Sequence, residues 1–177
     1  MAQEYDVEVT WLPFELHPEI PPEGMDLPPH IRAGFGGMSE RLQQMAREMG
    51  REMVIPDRIP NSRRALEASE YAREQGKHDD FHRVVFQKFY GKGQDMSDWA
   101  VLRAAAEEVE LDSDEMQQKT DGGDYKTAVD EKFNTARMMG ITGVPAYILG
   151  DKYAIIGAQP YEVFQQTMTR LKAENGD

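Results

Sequence analysis

The sequence holds 177 residues, of which 20 are basic and 32 acidic, for a formal charge of −12, and none is cysteine. A field of that sign disfavours nucleic acid and anionic membrane surfaces, and a chain without thiols makes no disulfide, thiolate nucleophile or thiolate metal site. Hydrophobic residues are 40% and charged residues 29%, an ordinary globular composition, and no apolar run approaches the ~20 residues of a membrane span.

The opening "MAQEYDVEV" has neither the basic region nor the apolar region of a signal peptide, so a cytoplasmic location is expected. In "YDVEVTWL" (5–12), Tyr5, Val7, Val9 and Trp11 alternate with Asp6, Glu8 and Thr10. That period of two predicts a strand, ended by Pro13. Over 13–37 six prolines (Pro13, Pro18, Pro21, Pro22, Pro28, Pro29) join Gly24, Gly34, Gly36 and Gly37. The expectation there is a long, stiff surface connection without regular structure.

The period then changes to 3.6. Ser39 is placed to cap a helix over 39–49, with Leu42, Met45, Ala46 and Met49 inward and Gly50 as its stop. Asn61 caps the next, over 62–75, which turns Ala65, Leu66, Ser69 and Ala72 inward. A third helix over 79–90 carries Phe81, Val84, Val85 and Phe89. A fourth, over 98–109, starts at Ser97 or Asp98 and buries Val101, Leu102, Ala105, Ala106 and Val109. Asp112, with Glu115 three residues on, opens a short fifth helix. A sixth over 124–139 stacks Tyr125, Val129, Phe133 and Ala136 and closes at Gly140. Two short strands follow, "PAYIL" (145–149) and "YAIIGAQP" (153–160). A last helix begins with Pro160 in its first turn and turns Val163, Phe164, Thr167, Met168 and Leu171 to one side.

Strand, long connection, helices, two strands, helix: that order, with "GITGVPAYIL" before a tight turn and "YAIIGAQP" after it, is similar to the later part of a thioredoxin fold carrying a helical insertion. The stretches "VEVTWLPFELHPEIPPEG" (7–24), "YAREQGK" (71–77), "GKGQDMSD" (91–98), "ARMMGITGVPAYIL" (136–149) and "YAIIGAQPYEVF" (153–164) resemble the DsbA-like superfamily, and within it the FrnE-like branch of cytosolic disulfide oxidoreductases. The resemblance implies an α/β, thioredoxin-like fold of the DsbA type with an inserted helical subdomain. It implies one domain over 1–177, in which 1–20 and 136–177 form the thioredoxin-like part and 38–135 the helical insertion. It implies a cis peptide between Val144 and Pro145, and a substrate peptide or thiol received by Gly143, Val144 and Pro145.

Members of that family begin with a strand, a Cys-X-X-Cys at a helix N-terminus and that helix, and only then reach the strand matched by 5–12. That N-terminal βα unit is missing from these 177 residues. The family activity is thiol–disulfide oxidoreduction, which needs a thiolate, so this cysteine-free chain is expected to be inactive in disulfide exchange by itself. The resemblance leaves two other readings. Glutathione-dependent 2-hydroxychromene-2-carboxylate isomerases and kappa-class glutathione transferases use serine on the same scaffold. A non-catalytic peptide- or thiol-binding module is the third.

Other constellations have plainer readings. His78 and His82 are spaced i, i+4, a metal-holding spacing, but no third ligand is evident, and the expectation is a solvated helix start with no metal and no cofactor. "GFGGMSE" (34–40) suggests a phosphate-binding glycine loop at a helix N-terminus, yet no strand precedes it and no Lys follows it. Met45, Met49 and Met168 fall at core spacing, whereas Met38, Met138 and Met139 are candidates to line a peptide groove. Trp11 and Phe14 are expected in the core. A sheet lacking the family's first strand leaves 5–12 and 145–149 with unpaired edges and Ile148 and Ile155 partly bare, from which a homodimer is expected.

Overall fold

Residues 4–176 are described by the structure, a computed structural model, and the side chains of residues 29–36, 38 and 175 lie outside that description. The chain divides into two units: Met1–Leu16 with Lys132–Asp177, and His17–Glu131.

The larger unit is helical. It opens with a two-residue ribbon, β1 (Met25–Asp26) antiparallel to β2 (Arg58–Ile59), with Met25 opposite Ile59. Gly24 enters that ribbon at φ +77°, where a Cβ would stand 2.9 Å from the Ile59 carbonyl oxygen. Between the strands runs α1 (Pro29–Glu48). This corrects two expectations. The segment 13–37 is not wholly irregular, and the helix expected over 39–49 begins ten residues earlier. Pro28 is extended and Pro29 is at the first helical position, where a fixed φ and a missing N–H suit the first turn. Gly34, Gly36 and Gly37, further along, weaken the helix at about 1 kcal/mol each but do not forbid it. Ser39 therefore lies inside the helix and caps nothing. Met45 and Met49 are exposed, not core filler.

The helices α2 (Arg63–Glu74), α3 (His78–Phe86), α4 (Trp99–Glu108) and α5 (Ser113–Gly122) form the core of this unit. Their caps follow from side-chain chemistry. Asn61 Oδ1 accepts from the Arg63 N–H, Asp98 from that of Ala100, and Asp112 from those of Asp114 and Glu115. Alanines on α2 (Ala65, Ala68, Ala72) and α4 (Ala105, Ala106) let backbones approach, and Phe81, Leu102 and Met116 fill the space between, all fully buried. Each such large side chain contributes ~1.5–3 kcal/mol of burial. Tyr71 is buried with them and donates from its hydroxyl to Glu115 at 2.9 Å. The helix expected over 79–90 is α3 continued by a π-helical turn, Gln87–Gly91, in which the buried Lys88 pairs with Glu108. The last helix of this stretch, α6 (Lys126–Met138), anchors its start through Val129 and Tyr125, both buried.

The smaller unit holds β3 (Ala146–Leu149), β4 (Tyr153–Ile156) and α7 (Tyr161–Asn175). The strands form an antiparallel hairpin with Tyr147 opposite Ile155 and Leu149 opposite Tyr153. Those four side chains share one face, and that face meets α7. Tyr147 stands edge-on to Phe164 at 4.9 Å, Arg170 lies over the Tyr153 ring, and Gly150 in the turn abuts Leu171. Ile155 is therefore buried, contrary to expectation, while Ile148 on the other face is exposed.

The strand expected over 5–12 is not formed. Those residues take no regular structure, and Val9, Trp11 and Leu12 are exposed. Alternation supplies the faces of a strand but not the ladder, and no described strand lies beside these residues to accept its hydrogen bonds. Tyr5 instead lies under Lys172 of α7, and Phe14 packs against Phe133 at 5.3 Å. Trp11 is thus not a core residue, whereas Phe14 is half-buried.

Candidate functional site

Gly140, at φ +78°, ends α6 and releases the chain toward β3. Ile141 is buried and pins the loop, and Thr142, Val144 and Pro145 are exposed. The Val144–Pro145 peptide bond is cis. The Pro145 carbonyl accepts from the Gly157 N–H at 2.7 Å, which extends the β3–β4 ladder by one rung.

That rung sets the parity of the strand. In an antiparallel ladder the main-chain groups of alternate residues point to opposite sides. Pro145, Tyr147 and Leu149 turn theirs to β4, so Val144, Ala146 and Ile148 turn theirs to the other edge of β3. Among the described residues no strand pairs with that edge, and none hydrogen-bonds to the Val144 main chain. Proline lacks an N–H, but it sits at a position that faces β4, so the open edge loses no donor by it.

The side chains here are apolar. Val144 is 52% exposed, Ile148 40% and Ile156 42%, and Met138 and Met139 stand exposed at the end of α6. Between Arg137 and Asp151 the sequence has no charged residue. The arrangement presents an extended main chain, flanked by apolar side chains, to another extended segment. Its polar side chains from Met138 to Gly150 are the hydroxyls of Thr142 and Tyr147. The signal for the open face was in the sequence, since Ala146, Ile148, Ala154 and Ile156 all occupy the positions opposite to the α7-facing set. Which face α7 covers depends on packing, and sequence alternation alone does not fix it.

The remaining candidates do not assemble a site. His78 and His82 do come together, stacked at 5.8 Å, with His78 Nδ1 3.0 Å from Asp79. His82 continues onto Phe86 at 4.3 Å, and burial followed by the neighbouring His78 lowers its pKa. Among the described residues no group of three metal-ligating side chains occurs. "GFGGMSE" lies inside α1, where main-chain N–H groups are committed to the helix, so the phosphate-loop reading is withdrawn. Met38 has no described side chain. Glu107 accepts from the Ser113 hydroxyl and Glu108 pairs with Lys88, which holds the Glu108 carboxyl below its usual range. Sequence reasoning missed the polar seal around Tyr71 and Tyr125, whose hydroxyls donate to Glu115 and Glu74 while Lys119 bridges both carboxylates.

Residues 1–169 match the sequence model of the DSBA-like thioredoxin domain. The chain belongs to this DsbA-like family. It is 31% identical over 167 residues to the uncharacterized protein YwbO of Bacillus subtilis, an alignment covering 93% of this chain and 82% of that protein. The fold is that of a probable DsbA oxidoreductase, SCO1869 from Streptomyces coelicolor, with a TM-score of 0.78 at 24% identity over 91% of this chain and 74% of that one. A 2-hydroxychromene-2-carboxylate isomerase shares it too, with a TM-score of 0.79 at 20% identity over 99% of this chain and 87% of that one. The fold is the DsbA-like thioredoxin fold in a helix-rich form with small sheets. No helix among the described residues is long and apolar enough to cross a membrane.

Proposed function

We propose that this chain is the substrate-receiving scaffold of a FrnE-like, cytoplasmic thiol–disulfide oxidoreductase, with Gly143, Val144 and Pro145 taking the main chain of a thiol-bearing peptide. The observation that carries the reading is the outward-facing Val144 main chain at the open edge of β3, in a chain of the DsbA-like family. An extended peptide laid beside that edge gains main-chain hydrogen bonds from Val144 and selects its side chains through the apolar surroundings. Exchange itself requires a thiolate to attack the disulfide sulfur, and these 177 residues contain none.

The test is a titration followed by amide resonances. A short cysteine-containing peptide should shift the Val144 and Ala146 amides, and the pure 177-residue chain should leave insulin reduction at its uncatalysed rate. A peptide that perturbs no residue of 143–148 at millimolar concentration would refute the reading. The likeness to 2-hydroxychromene-2-carboxylate isomerase favours a second reading, a glutathione-dependent isomerase. Its weakness is the uncharged stretch from Met138 to Gly150, which offers no cation to the carboxylates of glutathione. Shifts at 143–148 with glutathione but not with peptide would reverse the preference.

A further inference from the structure

We propose that a hollow in the helical unit binds a compact apolar group that carries an ammonium, with Glu19 as its counter-ion. The hollow measures about 300 Å³ and is walled by Ile20, Met25, Leu27, Pro28 and Ile59, with His17 and Glu19 completing it. That is the small end of the ~300–1,000 Å³ range of ligand sites. Every wall comes from His17–Ile59, one stretch within a single unit. Hydrogen bonds tie that stretch together. Asn61 Nδ2 donates to the Ile20 carbonyl at 2.6 Å, Arg58 Nη2 to the Glu23 carbonyl at 2.6 Å, and the Leu27 N–H to the Asp57 carbonyl at 3.2 Å. Met25 and Ile59 face each other across the β1–β2 ribbon. A hollow held in this way is formed before a ligand arrives, which lowers the cost of ordering it.

The apolar and polar parts of the hollow are separate. Ile20 is buried, and Leu27, Pro28 and Ile59 are half-buried. The His17 and Glu19 side chains are 51% and 68% exposed and stand at the solvent end. An apolar group gains burial against the first set, and charge selects what its other end carries. His17–Pro28 holds three carboxylates, Glu19, Glu23 and Asp26, and neither lysine nor arginine. Arg58 is engaged by Asp26 at 3.5 Å and by the Glu23 carbonyl. The Glu19 carboxyl is held below its usual range, first by its own main-chain N–H and then by His17, so it is ionised at neutral pH. His17 Nδ1 lies 3.0 Å from Glu19 Oε1. A carboxylate accepts several hydrogen bonds, which leaves acceptor capacity for an ammonium. An anionic ligand would instead meet the three carboxylates. The ammonium belongs either to a free amine or to the N-terminus of a peptide whose first side chain is apolar. The site uses none of residues 143–148, so it stands or falls apart from the peptide-receiving loop.

The test follows amide resonances of the full 177-residue chain against phenethylamine, phenylacetate, and the peptide Phe-Gly-Gly-amide with its N-terminus free or acetylated. Phenethylamine should shift amides within 17–28 and 58–59 at millimolar concentration. Phenylacetate has the same ring and the opposite charge, and should bind at least about tenfold more weakly. Glu19→Gln should weaken phenethylamine about fivefold, the worth of an exposed ion pair. Glu23→Gln, which lies outside the lining, should leave binding unchanged. Binding by the free peptide and not by the acetylated one sustains the proposal and assigns the ammonium to a chain end. Binding by phenethylamine alone sustains it and assigns a free amine. No shift within 17–28 up to about 10 mM phenethylamine overturns the proposal. So does phenylacetate binding as well as the amine, or an equal loss from Glu19→Gln and Glu23→Gln, which would reduce the effect to net charge.

Discussion

Replacing Gly24 by alanine combines two costs that the structure separates. The first is conformational: at φ +77° an L-residue loses ~1–2 kcal/mol relative to glycine. The second is steric. The new Cβ would lie 2.9 Å from the Ile59 carbonyl oxygen and 3.4 Å from the Pro60 Cα, both main-chain atoms that no rotamer change can move. Relief requires shifting β2 in the pair where Met25 faces Ile59, at a further ~1–3 kcal/mol by analogy with overpacking. The expected total is ~2–5 kcal/mol. Gly76 supplies the control. It has φ +70° in the same unit, and nothing lies within 4 Å of its Cβ direction, so Gly76→Ala should cost only the conformational part, ~1–2 kcal/mol. Urea unfolding by circular dichroism measures both, provided the denaturant slope is unchanged. If Gly24→Ala is no more destabilising than Gly76→Ala, the Ile59 contact yields freely and the reasoning fails.

Two further outcomes follow from the cap and from the histidine pair. Asp112→Ala removes the acceptor for the Asp114 and Glu115 amides and should cost ~1 kcal/mol in the same unfolding assay, with Asp112→Asn restoring most of it. Burial, with His78 beside it, holds His82 below its ordinary pKa of 6.5. The fold therefore favours the neutral ring. The stability this contributes is present above pH 6.5 and is lost as pH falls through the depressed value. Melting temperature should drop on acidification below that point, and His82→Phe, which keeps a ring against Phe86, should flatten the drop; an unchanged profile would count against the assignment.

The helical unit was largely legible because caps and period agree there. Asn61 and Asp112 each announce a helix start and accept the expected hydrogen bonds, and of the two candidates Ser97 and Asp98 it is Asp98 that caps α4. The hairpin was legible for a similar reason: two short apolar runs flank a Gly150–Asp151 turn. The misreadings came where local signals were overruled. Prolines at 28 and 29 read as a breaker but serve as the entry to α1, since proline disrupts a helix interior and suits its first turn. The alternation of 5–12 read as a strand, but a strand needs a neighbour, and neighbours are not encoded locally. The loop at Gly143, Val144 and Pro145 was found only through resemblance. Its open edge follows from ladder parity, which needs the register of β3 against β4.

The smaller unit is assembled from two segments far apart in sequence, Met1–Leu16 and Lys132–Asp177, with all of His17–Glu131 between them. On a ribosome the first segment emerges early and waits. The helical unit is complete before β3, β4 and α7 have been made, and domains tend to fold as they emerge. Closing so long a connection costs little more than closing one of half the length, because the entropy grows only with the logarithm of loop size. Until α6 is synthesised, however, Phe14 has no Phe133 to pack against, and until α7 follows Tyr5 has no Lys172 to lie under. The order of synthesis thus leaves Met1–Leu16 without those partners while all of His17–Glu131 is made.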